Sequence, residues 1–314
     1  MTTLETTQSI GSPSSPPRAP GSQRRMRSVG RNLWWFVLPA VLLYVVVVVS
    51  PTAQGAYMSL TNWSAYSLDR RFVGLDNFVR IFQGDAGTAA LRTLFIALVA
   101  VVAQNVLGLL LALLLNGRIA GRNVLRSIIF APMLVSPLVC GYLFKYIFGS
   151  PDIGAINSIL KAAGLDQVDF LARPGLALWV IVFVVVWQFT GSTMVIYLAG
   201  LQNIPPEQLE AAALDGAGTW QRFWYVIRPL LAPAITINLM LGLISGLKLF
   251  DQIFAITAGG PAGKTETIST LIYQLFSQFG FYGRSAALAV VLTIGVAVLS
   301  LIQFAALRRQ ERKA

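Results

Sequence analysis

Ala258–Thr265 reads AGGPAGKT, a small residue followed by four residues and then Gly-Lys-Thr, the relaxed form of a nucleotide-binding P-loop. A working P-loop cradles phosphates with backbone N–H groups at a helix N-terminus, directly after a strand. Its neighbours therefore decide what this stretch means. Other chemistry is sparse. The chain has no histidine and a single cysteine, Cys140, so an intrachain disulfide is impossible. The residues for a Cys/His metal site or for histidine acid–base catalysis are missing too. What remains are polar side chains inside long apolar runs: Lys145, Gln188, Ser192, Asn238, Ser245, Lys248 and Asp251. Asn238, Ser245 and Lys248 fall near one helical face, at spacings of seven and three. Lys248 and Asp251, three apart, either pair on a helix surface or meet a polar solute. Gln188 and Ser192, four apart beside Trp187, either hydrogen-bond between helices or line a pathway. Lys145 stands near the end of its run, where it can snorkel.

The elements that must hold these residues follow from composition. The 314 residues are 55% hydrophobic and 12% charged, about half the charged share of a soluble domain, and mean hydropathy is +0.67. A membrane span needs about 20 mostly apolar residues. Six runs qualify: Leu33–Ser59, Leu91–Leu115, Leu125–Phe148, Leu176–Leu201, Leu230–Thr257 and Ser285–Leu307. Pro39 and Pro51 lie inside the first and predict a kink there. The expected fold is all-α and polytopic, with six transmembrane helices. Within it, residues 1–32 form a disordered basic tail, 33–307 the membrane domain, 203–229 a long loop, and 308–314 a basic tail. The tail reads GSPSSPPRAPGSQRRMRS and has too little apolar surface to offset ordering entropy. Lipid is thus the first partner.

Arginine and lysine set the orientation. With the N-terminus inside, 14 basic residues flank the spans on the cytosolic side (five before the first, then Arg118, Arg122, Arg126, Arg222, Arg228, and four after the last) against eight outside. Both termini are then cytosolic. The net charge of +11 is largely this topology signal, and nucleic acid is not needed to explain it. On this reading AGGPAGKT follows the fifth span and lies outside, with no strand before it, so the chain does not itself hydrolyse ATP. Pro261 and three glycines make it an external turn.

The loop Asn203–Pro233, NIPPEQLEAAALDGAGTWQRFWYVIRPLLAP, is the most structured part between spans. Asn203 can cap a first helix opened by Pro205–Pro206, with Glu207 at its positive end and Ala211–Ala213 inside it. Gly216 can take the left-handed C-terminal conformation. A second helix is expected from Thr219 to Arg228, stopped by Pro229. By physics alone this is either an amphipathic hairpin on lipid or a docking surface for a protein.

Glu210-Ala211-Ala212, then Asp215-Gly216-Ala217 with Phe223, Val226 and Pro229, is similar to the EAA motif of ABC-importer permeases. FVGLDNFVRIF (Phe72–Phe82), FDQIFAITAGGP (Phe250–Pro261), TLIYQLF and GRSAALA resemble carbohydrate permeases of the maltose and glycerol-phosphate type, over roughly residues 33–307. Two features depart from the pattern: Arg228 stands at a normally apolar position, and the large external insert of some maltose-type subunits is absent. The resemblance implies a non-enzymatic, multi-pass subunit of a bacterial plasma (inner) membrane importer. It implies four kinds of partner: a second, homologous permease in a heterodimer, two cytosolic ABC ATPases that bind the ATP and magnesium, an extracellular or periplasmic sugar-binding protein, and the sugar itself. Glu210, Ala211, Ala212, Asp215, Gly216, Phe223 and Pro229 would couple to the ATPase. Gln188, Ser192, Asn238, Ser245, Lys248 and Asp251 would line the pathway. The rival reading is a stand-alone secondary transporter of a small polar solute, for which only Asp251 offers an intramembrane carboxylate.

Overall fold

The computed structural model describes residues 35–67, 69–117 and 119–311. The expected tail 1–32 lies outside the described residues, as do the last three of 308–314. The remainder of that second tail is helical, because the final helix runs on to Glu311. Among the described residues there are no strands, only two isolated antiparallel bridges, Thr61 with Phe72 and Ser64 with Ser67.

One helix, α1, covers Trp35–Met58, and Val45–Val49 within it form a π turn. Most of it belongs to a separate unit, residues 1–54. In the larger unit α2 is Asp76–Gln83, α3 Ala86–Asn116, α4 Arg122–Leu134, α5 Pro137–Ile147 and α6 Ala155–Ala162. They are followed by α7, Pro174–Gln202, α8, Pro206–Leu214, α9, Thr219–Leu230, and α10, Ala232–Leu247. The last are α11, Asp251–Ile256, α12, Ile268–Tyr273, and α13, Tyr282–Glu311.

Four helices are long and apolar enough to cross a membrane (α1, α3, α7, and α13 as far as Arg308), or six if the bent pairs α4–α5 and α9–α10 each count as one. One bend falls inside the run Leu125–Phe148, and the other at the start of the run Leu230–Thr257. The axes of α4 and α5 differ by 96°, and those of α9 and α10 by 67°. Pro137 causes the first: it holds Ser136 extended at φ −54°, ψ 133°. The second falls at Leu231, because Pro233 has no N–H to offer the carbonyl of Pro229 and its ring crowds that carbonyl. Pro229 itself does not stop the helix as expected. The π turn Phe223–Ile227 absorbs it, and helix continues to Leu230.

Helix α7 is the central post, packed along α3 and touching α4, α10 and α11. Lipid tails are as apolar as leucine, so close backbone approach rather than burial from water holds such helices together. Gly191 on α7 lies against the Ile129 carbonyl, where no side chain fits, and a Cβ on Gly141 would stand 2.5 Å from that of Ala255. Around these crossings, Ile96, Phe144, Ile181, Val184 and Ile253 form one core, and Leu115, Met194, Tyr197, Leu231 and Ala234 another. The Arg126 guanidinium donates to the Leu115 carbonyl at 2.6 Å, filling an acceptor that the end of α3 leaves open.

Candidate functional site

The fifth expected span breaks a second time. Helix α10 ends at Leu247, Lys248 to Phe250 are not helical, and α11 starts at Asp251. Irregular backbone at membrane depth is tolerated where it lines a cavity. Here it lines one of about 420 Å³, between α3, α7, α10 and the break. Ser192, Asn238, Ser245, Lys248 and Asp251 all face this cavity, together with Gln104, Thr193 and Gln252. Phe189 and Phe250 supply aromatic surface, and Phe250 stacks on Phe254 at 5.2 Å with Tyr273 beside them.

Hydrogen bonds hold part of the wall and the helices behind it. Asn238, nearly buried, donates to the Thr193 carbonyl at 3.3 Å, so it joins α10 to α7. The Tyr197 hydroxyl donates to Asn105 at 2.6 Å, joining α7 to α3. The Ser192 hydroxyl donates to its own helix at the Phe189 carbonyl, 2.7 Å away. Ser245, Lys248 and Asp251 are exposed to the cavity side. Of the two readings of Lys248 and Asp251, the helix-surface pair is not formed: the break separates them, and among the described residues neither makes an ion pair.

Gln188 is placed differently. It is fully buried behind the wall, donating to the Val135 carbonyl at 2.9 Å and accepting from Gln252 at 2.8 Å. It therefore satisfies a carbonyl near the α4–α5 bend. Its neighbour Trp187 points the other way, 5.1 Å from Phe144 and into an apolar groove. Gln252 and Gln104 were missed in the sequence; the signal available was an amide inside an apolar run.

The second candidate region is the loop between α7 and α9. Asn203 closes α7 rather than opening α8, whose N-cap is Pro205. Gly216 has φ +79°. Its N–H bonds to the Ala213 carbonyl at 3.1 Å, and the Ala217 N–H reaches back to Ala212 at 3.0 Å, the pair of bonds that defines a Schellman turn. Glu210 and Ala211 are exposed on α8 and Asp215 just after it, while Ala212 is half-buried. Glu210 makes no ion pair among the described residues. Phe223 is half-buried on α9 with its ring 5.5 Å from that of Trp224, and Pro229 is half-buried near the end of α9.

The stretch AGGPAGKT follows helix α11, not a strand. Lys264 points outward, and the buried Thr265 hydroxyl donates to the Gly260 carbonyl inside the turn. Arg92 ties the turn to α3 through the Gly263 carbonyl at 2.6 Å. Glu266 is buried beside it, and burial, then the Asp85 charge, push its carboxyl up while Arg92 opposes them. No phosphate cradle exists here. Among the described residues no cluster of metal-ligating side chains is found.

Residues 104–314 match the family described as "Binding-protein-dependent transport system inner membrane component". The chain is 35% identical to the multiple sugar-binding transport system permease protein MsmF of Streptococcus mutans, over 86% of its own length and 93% of the other's. It is 33% identical to the trehalose/maltose transport system permease protein MalF of Thermococcus litoralis, over 81% and 86%. A chain from the crystal structure of a bacterial ABC transporter involved in import of the acidic polysaccharide alginate superposes with TM-score 0.79 at 25% identity, covering 91% of this chain and 99% of that one. A chain from the alginate transporter in complex with its pentasaccharide-bound periplasmic protein gives a TM-score of 0.78 at the same identity, over 92% and 99%.

Proposed function

This chain belongs to the family of binding-protein-dependent transport system inner membrane components, and from that premise we propose that it is a permease subunit of an ATP-driven carbohydrate importer. The protein is a multi-pass inner-membrane component and not an enzyme. The observation that carries the substrate class is the cavity at the α10–α11 break. A sugar presents hydroxyls that both donate and accept, and an apolar ring face. Ser192, Asn238 and Ser245 offer neutral groups of both kinds, Lys248 a donor and Asp251 an acceptor, and Phe250 a ring. Gln188 acts from behind, fixing Gln252 and the α4–α5 bend.

The cavity opens at the surface of this single chain, so a second, homologous permease closes the pathway. Both termini are cytosolic. The loop Asn203–Pro229 then faces the cytosol, where Glu210, Ala211, Ala212 and Asp215 on and after α8 dock on one of two ATPases, which bind the ATP and magnesium. Gly216 turns the chain, and Phe223 and Pro229 hold α9 behind it. An external binding protein brings the sugar to the opposite face. The test is reconstitution into proteoliposomes with the partner permease, the ATPases and the binding protein. Uptake should require ATP and binding protein together. Uptake by this chain alone, driven by an ion gradient, would overturn the importer reading in favour of a secondary transporter.

A further inference from the structure

Helix α9 has two faces. Trp220, Gln221, Trp224, Tyr225 and Arg228 are exposed on one, at steps of one and four. Phe223, Val226 and Ile227 are half-buried on the other, and Ile227 packs on the core around Leu231 and Ala234. Trp220 is 72% exposed and Tyr225 80%, a large aromatic area to leave in water. The Arg228 guanidinium lies 4.9 Å over the Trp224 ring, so the cation and the indole form one amphipathic unit. Trp and Tyr with Arg are the side chains that settle at the headgroup level of a bilayer.

Charge divides the loop in the same way. Helix α8 and its turn carry Glu207, Glu210 and Asp215 and no base, whereas α9 carries Arg222 and Arg228 and no acid. The two halves thus differ in the surface each complements. The acidic half suits a basic protein groove, and the basic, aromatic half suits an anionic surface. Direction agrees: α9 leaves α10 at 67°, so where α10 crosses the bilayer, α9 runs closer to the membrane plane than to its normal. Leu230, partly exposed at the junction, continues the apolar surface from α9 toward α10.

We propose that the Trp220–Trp224–Tyr225–Arg228 face of α9 is a membrane-interface anchor that seats among anionic phospholipid headgroups. It holds α9 against the bilayer and thereby fixes where the Gly216 turn presents α8. The inference rests on the reading of this chain as a membrane-spanning permease with the loop on the cytosolic side.

The full importer is placed in nanodiscs of phosphatidylglycerol and phosphatidylcholine whose acyl chains are brominated near the headgroup. Tryptophan emission is compared between wild type and Trp220→Phe/Trp224→Phe, and the difference isolates these two indoles. That difference emission should be quenched severalfold by brominated lipid, equally with and without the ATPases. Arg222→Gln/Arg228→Gln should reduce the quenching in phosphatidylglycerol more than in phosphatidylcholine alone. If aqueous iodide quenches the two indoles without the ATPases, and adding the ATPases shields them, the face is a protein-docking surface and the anchor is refuted. Quenching unaffected by the two arginine changes refutes the anionic preference. ATP-dependent uptake by the same wild-type importer in proteoliposomes separates these outcomes from failure of the importer reading, since uptake survives if only the anchor is wrong.

Discussion

Replacing Gly216 should grade the coupling loop by backbone strain alone. At φ +79° an ideal Cβ on this residue meets no atom within 4 Å, so a small side chain adds strain without a clash. The left-handed conformation costs an L-residue about 1–2 kcal/mol, and 1.4 kcal/mol is about a tenfold change in an equilibrium constant. Gly216→Ala should therefore lower the population of the turn by about tenfold, and Gly216→Asn by less, because Asn visits this region more readily. Gly216→Pro is different in kind. Its φ is locked near about −65°, and it loses the N–H that bonds to Ala213, so the turn cannot close. Co-purification of the ATPase with tagged permease, together with sugar uptake, should rank the variants Gly, Asn, Ala, Pro, with Pro detached. Membrane insertion should be equal in all four, since the residue lies outside every expected span. An Ala variant as defective as Pro would show that space rather than φ matters there. A fully coupled Pro variant would refute the role of the turn.

Three further outcomes follow from the site. Ser245→Trp puts an indole into a cavity of about 420 Å³ and should cut uptake at least tenfold with normal assembly; normal uptake would place Ser245 off the pathway. Gln188→Leu strands the Val135 carbonyl and the Gln252 amide, at about 1–3 kcal/mol for each buried group, so it should lower the melting temperature of the complex well below that of Ser192→Ala. Glu266 has a folded-state pKa above its unfolded value, so stability present below the unfolded pKa is lost as pH rises through the raised one. Glu266→Gln should match wild type near about pH 4 and melt higher at about pH 7, and parallel profiles across that range would refute the assignment.

Hydropathy made the long helices legible because length and composition alone define them: α3, α7 and α13 cover the runs marked in the sequence. Gly216 was legible because an alanine-rich helix followed by Gly has few ways to end. Direction was not legible. A window sees an apolar average on both sides of Ser136–Pro137, although the chain turns by 96° there. At the second bend two prolines competed. Pro229 is the stop that the sequence predicts, yet a π turn accommodates it and Pro233 makes the break. Lys248 and Asp251 were read as helix neighbours because nothing in their types announces three non-helical residues between two helices.

Gln188 shows why polar residues in spans resist reading one at a time. From spacing, it and Ser192 are equivalent, four apart on one helix. Their separation comes from what the other helices lack. The α4–α5 bend frees the Val135 carbonyl inside the bundle, and a buried acceptor without a partner costs about 1–3 kcal/mol. Gln188 reaches that carbonyl and at the same time takes a hydrogen bond from Gln252, in the first turn of α11 just past the second break. The chain Gln252–Gln188–Val135 thus ties both discontinuities to the straight post α7. Ser192 is left with only its own helix to bond and keeps a free side toward the cavity. The two backbone breaks create the demand that removes Gln188 from the wall, and the same breaks open the space that Ser192, Ser245, Lys248 and Asp251 line.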